Sequence, residues 1–175
     1  IETPFGNTDK ILGGSGTFVG LAASQFGVET GAVSVVGGDF PASYLEMMNS
    51  KGINTDGIEV DKNGKTFFWS GKYHNDMNSR DTLITELNVL ETFTPIVPEK
   101  FKDAGIVMLG NLHPLTQASV LDQMIERPKL VVLDTMNFWM DIALDDLHTV
   151  LKRVDVITIN DEEARQLSGE YSLVN

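Results

Sequence analysis

Residues 11–39 read ILGGSGTFVGLAASQFGVETGAVSVVGGD, a glycine turn, a helix, a second turn and a short apolar strand that ends in glycines. Gly13, Gly14 and Gly16 crowd the first turn, where glycine lets the backbone adopt positive φ or approach a ligand without a Cβ in the way. Thr17 is placed to cap the helix that follows. Phe18, Leu21, Ala22, Gln25 and Phe26 recur at helical spacing, and all but Gln25 are apolar, so packing is the first expectation for Phe18. Gly27 is placed to end the helix. Val33, Val35 and Val36 then form a strand running into Gly37, Gly38 and Asp39.

On either side the same alternation continues. Gly6-Asn7 reads as a hairpin turn between short pieces at 3–5 and 10–12. Asp39 and Pro41 mark a second helix start, with Tyr44, Leu45, Met47 and Met48 on its apolar face and Gly52 at its end. Residues 53–60 lead into Asp61-Lys62-Asn63-Gly64-Lys65, read as a hairpin turn, and residues 66–73 form an aromatic-rich strand. Leu83, Thr85, Leu87 and Val89 alternate with mostly polar residues, the pattern of a strand wet on one face. Pro95 and Pro98 bracket a linker. The apolar runs 106–109, 130–133 and 154–159 read as buried parallel strands. Between them lie amphipathic helices, one with Leu115, Ala118, Leu121 and Ile125 on a face and one over 140–150. Residues 161–167 form a last helix, stopped by Gly169. Strands alternating with helices give an α/β fold: a doubly wound, mostly parallel sheet with a small antiparallel lid. The expected division is a core of 13–53 and 95–175 with a lid of 1–12 and 54–94.

The composition excludes several classes. A net charge of −12, from 25 acids against 13 bases, argues against a nucleic-acid partner, which needs a basic surface. It leaves room for a phosphorylated ligand held by glycine turns or a metal. With no cysteine there is neither a disulfide framework nor a thiolate nucleophile. No apolar run approaches the roughly 18 residues of a membrane span, and a cytoplasmic setting is the default expectation.

Ligands of open parallel sheets bind at the C-terminal ends of the strands. Four expected strand ends carry Asp39, Asn111, Asp134 and Asn160, so one rule places all four on a rim. Asn and Asp are also ordinary turn and cap residues. Asn160 and Glu163 in particular have the spacing of an N-cap and its third-residue acid. Asn137, Phe138 and Trp139 either line a nucleotide site or cap and pack the next helix. In the loop 69–80, Arg80 is suited to a bidentate anion contact and His74 to acid–base work. His113 and His148 lack metal-ligand spacing with His74, so no zinc site is expected.

Two of these stretches resemble the PfkB (ribokinase-like) family of carbohydrate kinases. The first is Gly13-Gly14 with Gly16, Gly27 and Gly37; the second is Asn160-Asp161-Glu162-Glu163, similar to the family's Asn-x-x-Glu motif. The resemblance implies a truncated ribokinase-like fold and transfer of the γ-phosphoryl of ATP to a sugar hydroxyl with Mg²⁺. It implies Gly13 and Gly14 as the floor of the sugar site and a hinge to the lid, and Asn111 as a sugar contact. Asn160 and Glu163 would organise the phosphate region, with Glu163 reaching Mg²⁺ through water. It further implies a homodimer formed through the lid. Phe18 stands where the family usually has a sugar-binding Asn, which leaves Phe18 itself as a candidate substrate contact, and Gly20 also departs from the pattern. The family's catalytic Asp lies in a Gly-Ala-Gly-Asp turn that this sequence does not contain. The chain is therefore expected to be an inactive portion of a kinase, with the base and the adenine-binding elements elsewhere.

Three alternatives stay open. A nucleoside kinase would use Phe18 and the aromatic lid to stack on a base. A non-catalytic sugar-binding or dimerising module would need no base. A dinucleotide-dependent oxidoreductase would read Gly14-Ser15-Gly16 and Gly20 as a fingerprint with Asp39 as the ribose acid, and it requires a strand immediately before the glycines.

Overall fold

A strand–helix–strand connection long enough to cross over lets neighbouring strands run parallel, and this chain uses it repeatedly. The computed structural model describes residues 1–77 and 79–172. The chain divides into two units, Ile1–Phe93 and Thr94–Asn175, with the boundary just before Pro95.

In the first unit β1 (Glu2–Thr3) and β2 (Gly6–Asn7) are antiparallel, with Thr3 opposite Gly6. The turn between them therefore lies at Pro4-Phe5, and Gly6-Asn7, expected as the turn, is strand. Helix α1 (Ser15–Ser24) starts three residues earlier than a Thr17 cap would set it, with Gly14 at its N-cap. Strand β3 (Thr30–Gly37), helix α2 (Ala42–Ser50) and strand β4 (Ile53–Asp61) make one crossover, and β4 pairs with β3 in parallel along its length. Residues 53–60, expected to lead into a lid hairpin, thus belong to a parallel pair, and the turn at 61–65 closes no hairpin. Strands β5 (Phe68–Tyr73) and β6 (Arg80–Glu86) are antiparallel, and the sheet order is β2-β1-β5-β6. The expected strand to Leu90 stops at Glu86, and a short 3-10 turn, Asn88–Leu90, follows. All seven residues of β6 are exposed, so the alternation there buries neither face.

In the second unit β7 (Ile106–Leu109), α3 (Pro114–Asp122), β8 (Leu130–Asp134), α4 (Asn137–Ile142), α5 (Leu144–Leu151), β9 (Val156–Thr158) and α6 (Asp161–Ser168) follow in order. The three strands form one parallel sheet, β7-β8-β9. Only the central strand is a buried one: Val131 and Leu133 have no exposure, while Ile106 on β7 is 67% exposed and Val156 on β9 is 43% exposed. The core joins Leu109, Leu121, Val131, Leu133, Met140, Leu147 and Val150. The helix expected over 140–150 is broken at Ala143, whose φ of −144° and ψ of 36° are not helical. On α3 the buried residues are Pro114, Gln117 and Leu121, whereas Leu115 is exposed, and Ile125, expected on the same face, lies beyond the helix and is exposed. Most of the parallel pairing is thus shared between two sheets, β3-β4 and β7-β8-β9, while in the sheet β2-β1-β5-β6 only β1 and β5 run parallel, with Glu2 opposite Lys72.

Candidate functional site

The glycine turn of the first unit is open. A Cβ built on Gly13 or Gly14 would meet nothing within 4 Å, and Gly14 has a φ of +91°, a conformation that favours glycine. No side chain caps α1 here. Phe18, one turn into the helix, is 62% exposed. The expectation that it packs in a core is corrected: the buried residue of α1 is Gly20, where an added Cβ would come within 3.1 Å of Ile53 Cδ1. The small residue at 20 lets the helix lie on Ile53, and that contact turns Phe18 outward. Residues 8–14 contain no strand, so the dinucleotide fingerprint lacks the element it needs.

Asp39 sits at the end of β3 but is engaged by protein. Its Oδ1 accepts from Thr66 N at 2.7 Å and from Thr66 Oγ1 at 2.8 Å. Those two donors hold its carboxyl below the ordinary carboxylate value. Arg80 opens β6 opposite Tyr73 and is exposed. His74 Nε2 lies 3.1 Å from Asp81 Oδ2, so an acid already faces it.

In the second unit one edge of the parallel sheet carries three of the expected rim residues. Asp134 ends β8, and Asn111 and Asn160 stand two residues beyond the ends of β7 and β9. Asn111 Oδ1 accepts from Trp139 Nε1 at 2.8 Å. Trp139 is 7% exposed and packs edge-on against His113 and Phe138, while no side chain caps α4. His113 itself caps α3, its Nδ1 accepting from Leu115 N at 3.2 Å. Asn137 Nδ2 donates to Gln166 Oε1 at 2.5 Å, and Gln166 Nε2 to Asp141 Oδ1 at 2.7 Å, which ties α4 to α6.

Asn160 and Glu163 are brought together at the start of α6. Glu163 N donates to Asn160 Oδ1 at 2.9 Å, and Asn160 N donates to Glu163 Oε2 at 3.0 Å. This is a reciprocal capping box, and it leaves Glu163 5% exposed. Arg165 holds the neighbouring Asp161 carboxyl below its ordinary value through a 2.6 Å hydrogen bond.

The sequence reading missed Gln117. It is 2% exposed, and its Nε2 donates to Gly110 O at 2.8 Å and to Asp134 O at 3.0 Å. The signal was a polar residue between Pro114 and Leu121 at helical spacing.

The donor set tests what a metal would find. Among the described residues no three His, Cys, Asp or Glu side chains gather as a metal site. Glu163 Oε2 already accepts from Asn160 N, and a Mg²⁺ at this helix start would meet that carboxylate through its own waters. The first turn of α6 also carries Asp161 and Glu162, acids that offset the attraction of a helix N-terminus for an anion.

Comparison with known proteins identifies the class. The pfkB family carbohydrate kinase model matches residues 5–173. The chain belongs to this family. A cytidine kinase of Thermococcus kodakarensis is 26% identical over 170 residues, covering 95% of this chain and 59% of that protein. The nucleoside kinase of Burkholderia thailandensis in complex with inosine superposes with a TM-score of 0.74 at 13% identity, over 96% of this chain and 56% of that one. A sugar kinase of Pyrococcus horikoshii in complex with ATP gives a TM-score of 0.65 at 19% identity, over 92% and 57%. The fold is therefore ribokinase-like, and the chain spans under two thirds of the length of these relatives.

Proposed function

We propose that this chain is the acceptor-binding portion of a kinase that transfers the γ-phosphoryl of ATP to a hydroxyl of a sugar or of a nucleoside's sugar. The observation that carries the reading is the rim of Asn111, Asp134 and Asn160 at one end of a parallel sheet, in a chain of this family. Asn111 is the hydroxyl contact of the second unit, and Gly13 and Gly14 form an open floor in the first. Arg80 is suited to an anionic group. The sheet β2-β1-β5-β6 serves as the lid and as the surface of a homodimer. Asn160 and Glu163 order the phosphate region, Mg²⁺ being met through water; the ion when bound neutralises charge on the transferring phosphoryl. The setting is the cytoplasm.

The chain by itself lacks the Gly-Ala-Gly-Asp base motif. Purified alone with ATP, Mg²⁺ and a panel of sugars and nucleosides, it should turn over no faster than buffer, while a longer protein containing it should release ADP. Sugar-dependent ADP release by this chain, surviving removal of contaminating kinase, would place the base among its own residues, with Asp39 and Asp134 the first to test.

The nucleoside reading is favoured by one observation, the outward-facing Phe18 at the glycine turn. An exposed ring can stack on a base. Phe18→Ala should then leave melting nearly unchanged, within about 0.5 kcal/mol, and weaken binding of cytidine or inosine more than binding of ribose in calorimetry. Equal losses for ribose and nucleosides favour the sugar reading. A non-catalytic module would bind sugar but gain no activity in the longer protein.

A further inference from the structure

Gln117 is a polar side chain set into the packing of the second unit, on α3 between Pro114 and Leu121. Its Nε2 donates to Gly110 O and to Asp134 O, so one amide joins the ends of two neighbouring strands where their own ladder stops. Its Oε1 is buried and receives no hydrogen bond among the described residues, and the same holds for Oγ1 of Thr135, the residue after Asp134. An apolar side chain of equal length would fill this space and leave no buried oxygen without a donor. What it cannot do is hold two carbonyls at one separation. Gly110 is bonded directly to Asn111, whose Oδ1 accepts from Trp139 Nε1. An indole N–H can only donate, so it fixes which end of the Asn111 amide faces it and turns the NH₂ end away.

We propose that Gln117 is a positioning residue: by clamping the ends of β7 and β8 it holds Asn111 at the distance from Trp139 at which its amide is oriented toward a polyol hydroxyl. This rests on the reading of Asn111 as a hydroxyl contact. The consequence is a loss of binding in a variant that stays folded, together with a disturbed Trp139 hydrogen bond.

The two tryptophans make the test. Trp69 Nε1 donates to Thr82 Oγ1 in the other unit and serves as the internal control. In ¹⁵N-labelled Gln117→Met, the Trp139 indole resonance should move and exchange with solvent about tenfold faster, while that of Trp69 stays. Affinity for ribose or cytidine should fall about tenfold in calorimetry, with melting within a few degrees of the unmodified chain. An unmoved Trp139 resonance overturns the clamp, and so does unchanged affinity in a variant whose resonance has moved. If Gln117→Met does not fold, Gln117→Glu decides. A protonated carboxyl can hold one carbonyl and a carboxylate repels both, so the Trp139 resonance should titrate while that of Trp69 does not; a pH-independent resonance overturns the proposal. If the unmodified chain binds neither ribose nor cytidine, the reading of Asn111 fails, and the indole measurement still decides whether Gln117 orients it.

Discussion

Two groups of glycines look alike in sequence and differ in what surrounds them. At Gly37 an added Cβ would fall 2.4 Å from Lys65 C and Thr66 N, and at Gly38 2.6 Å from Lys62 O, all backbone atoms that cannot swing aside. Gly13 has nothing within 4 Å. Gly37→Ala should therefore cost about 1–3 kcal/mol, as overpacking does, and Gly13→Ala should stay within about 0.5 kcal/mol. Urea denaturation of both variants checks this, and equal losses would contradict it. Asp39 closes the same loop through Thr66, and Asn88 Nδ2 donates to Thr66 O at 2.9 Å. Because the folded protein lowers the Asp39 carboxyl, its contribution is complete above the ordinary carboxylate range and fades as pH falls through the folded value. Asp39→Asn keeps an acceptor but cannot titrate. The stability advantage of the unmodified chain over this variant should shrink as pH is lowered from about 6 to about 3. Melting curves that run parallel across that range would show that Asp39 contributes nothing pH-dependent.

At the scale of elements, α6 separates two roles that the sequence superposes on the same pair. Asn160→Ala removes the acceptor for Glu163 N and should cost about 0.5–2 kcal/mol, as for other lost N-caps. Glu163→Gln keeps an oxygen for Asn160 N and should leave melting unchanged. If Glu163 also serves Mg²⁺, the longer protein carrying Glu163→Gln should lose Mg²⁺-dependent turnover at undiminished stability; full turnover would confine Glu163 to capping. Capping was legible because it is local: an Asn, three residues and a Glu. The face of α3 was not. Its apolar residues fit two stripes, and packing into the core beside α5 chose Pro114, Gln117 and Leu121 over Leu115. The break at Ala143 was equally hidden, because no Gly or Pro marks it and the break lies in its own backbone angles.

At the scale of the molecule, the two units bury different things. The contiguous core of apolar residues lies in the second unit around β8 and α5, while β6 in the first unit is exposed along its length. Opening free energy follows burial and hydrogen bonding. Amides of β8 and α5 should be the slowest to exchange with deuterium and those of β6 among the fastest. Peptide-resolved exchange in which β6 is protected as well as β8 would show that the lid sheet is covered in solution, as a dimer through it requires. At the start of this core, Asp155 accepts from Arg127 Nη2 at 2.7 Å and from Val131 N at 2.8 Å. These two donors hold its carboxyl low, so its contribution too is lost toward acid.

The sequence by itself determined the alternation of strands and helices, the parallel character of the runs at 106–109 and 130–133, the glycine turn before α1, the family, and the pairing of Asn160 with Glu163. Each depends on period, spacing or capping within a few residues, and short-range chemistry suffices to read them. Tertiary structure decided that β4 pairs with β3, that Phe18 faces outward, that only β8 of its sheet is buried, and that Gln117 joins two strand ends. These depend on which distant segments meet. Gln117 lies 17 residues from its partner Asp134 and Asp39 lies 27 from Thr66. A side chain's own preference does not name its partner, because burial and hydrogen bonding are properties of the assembled surfaces and not of the local chain.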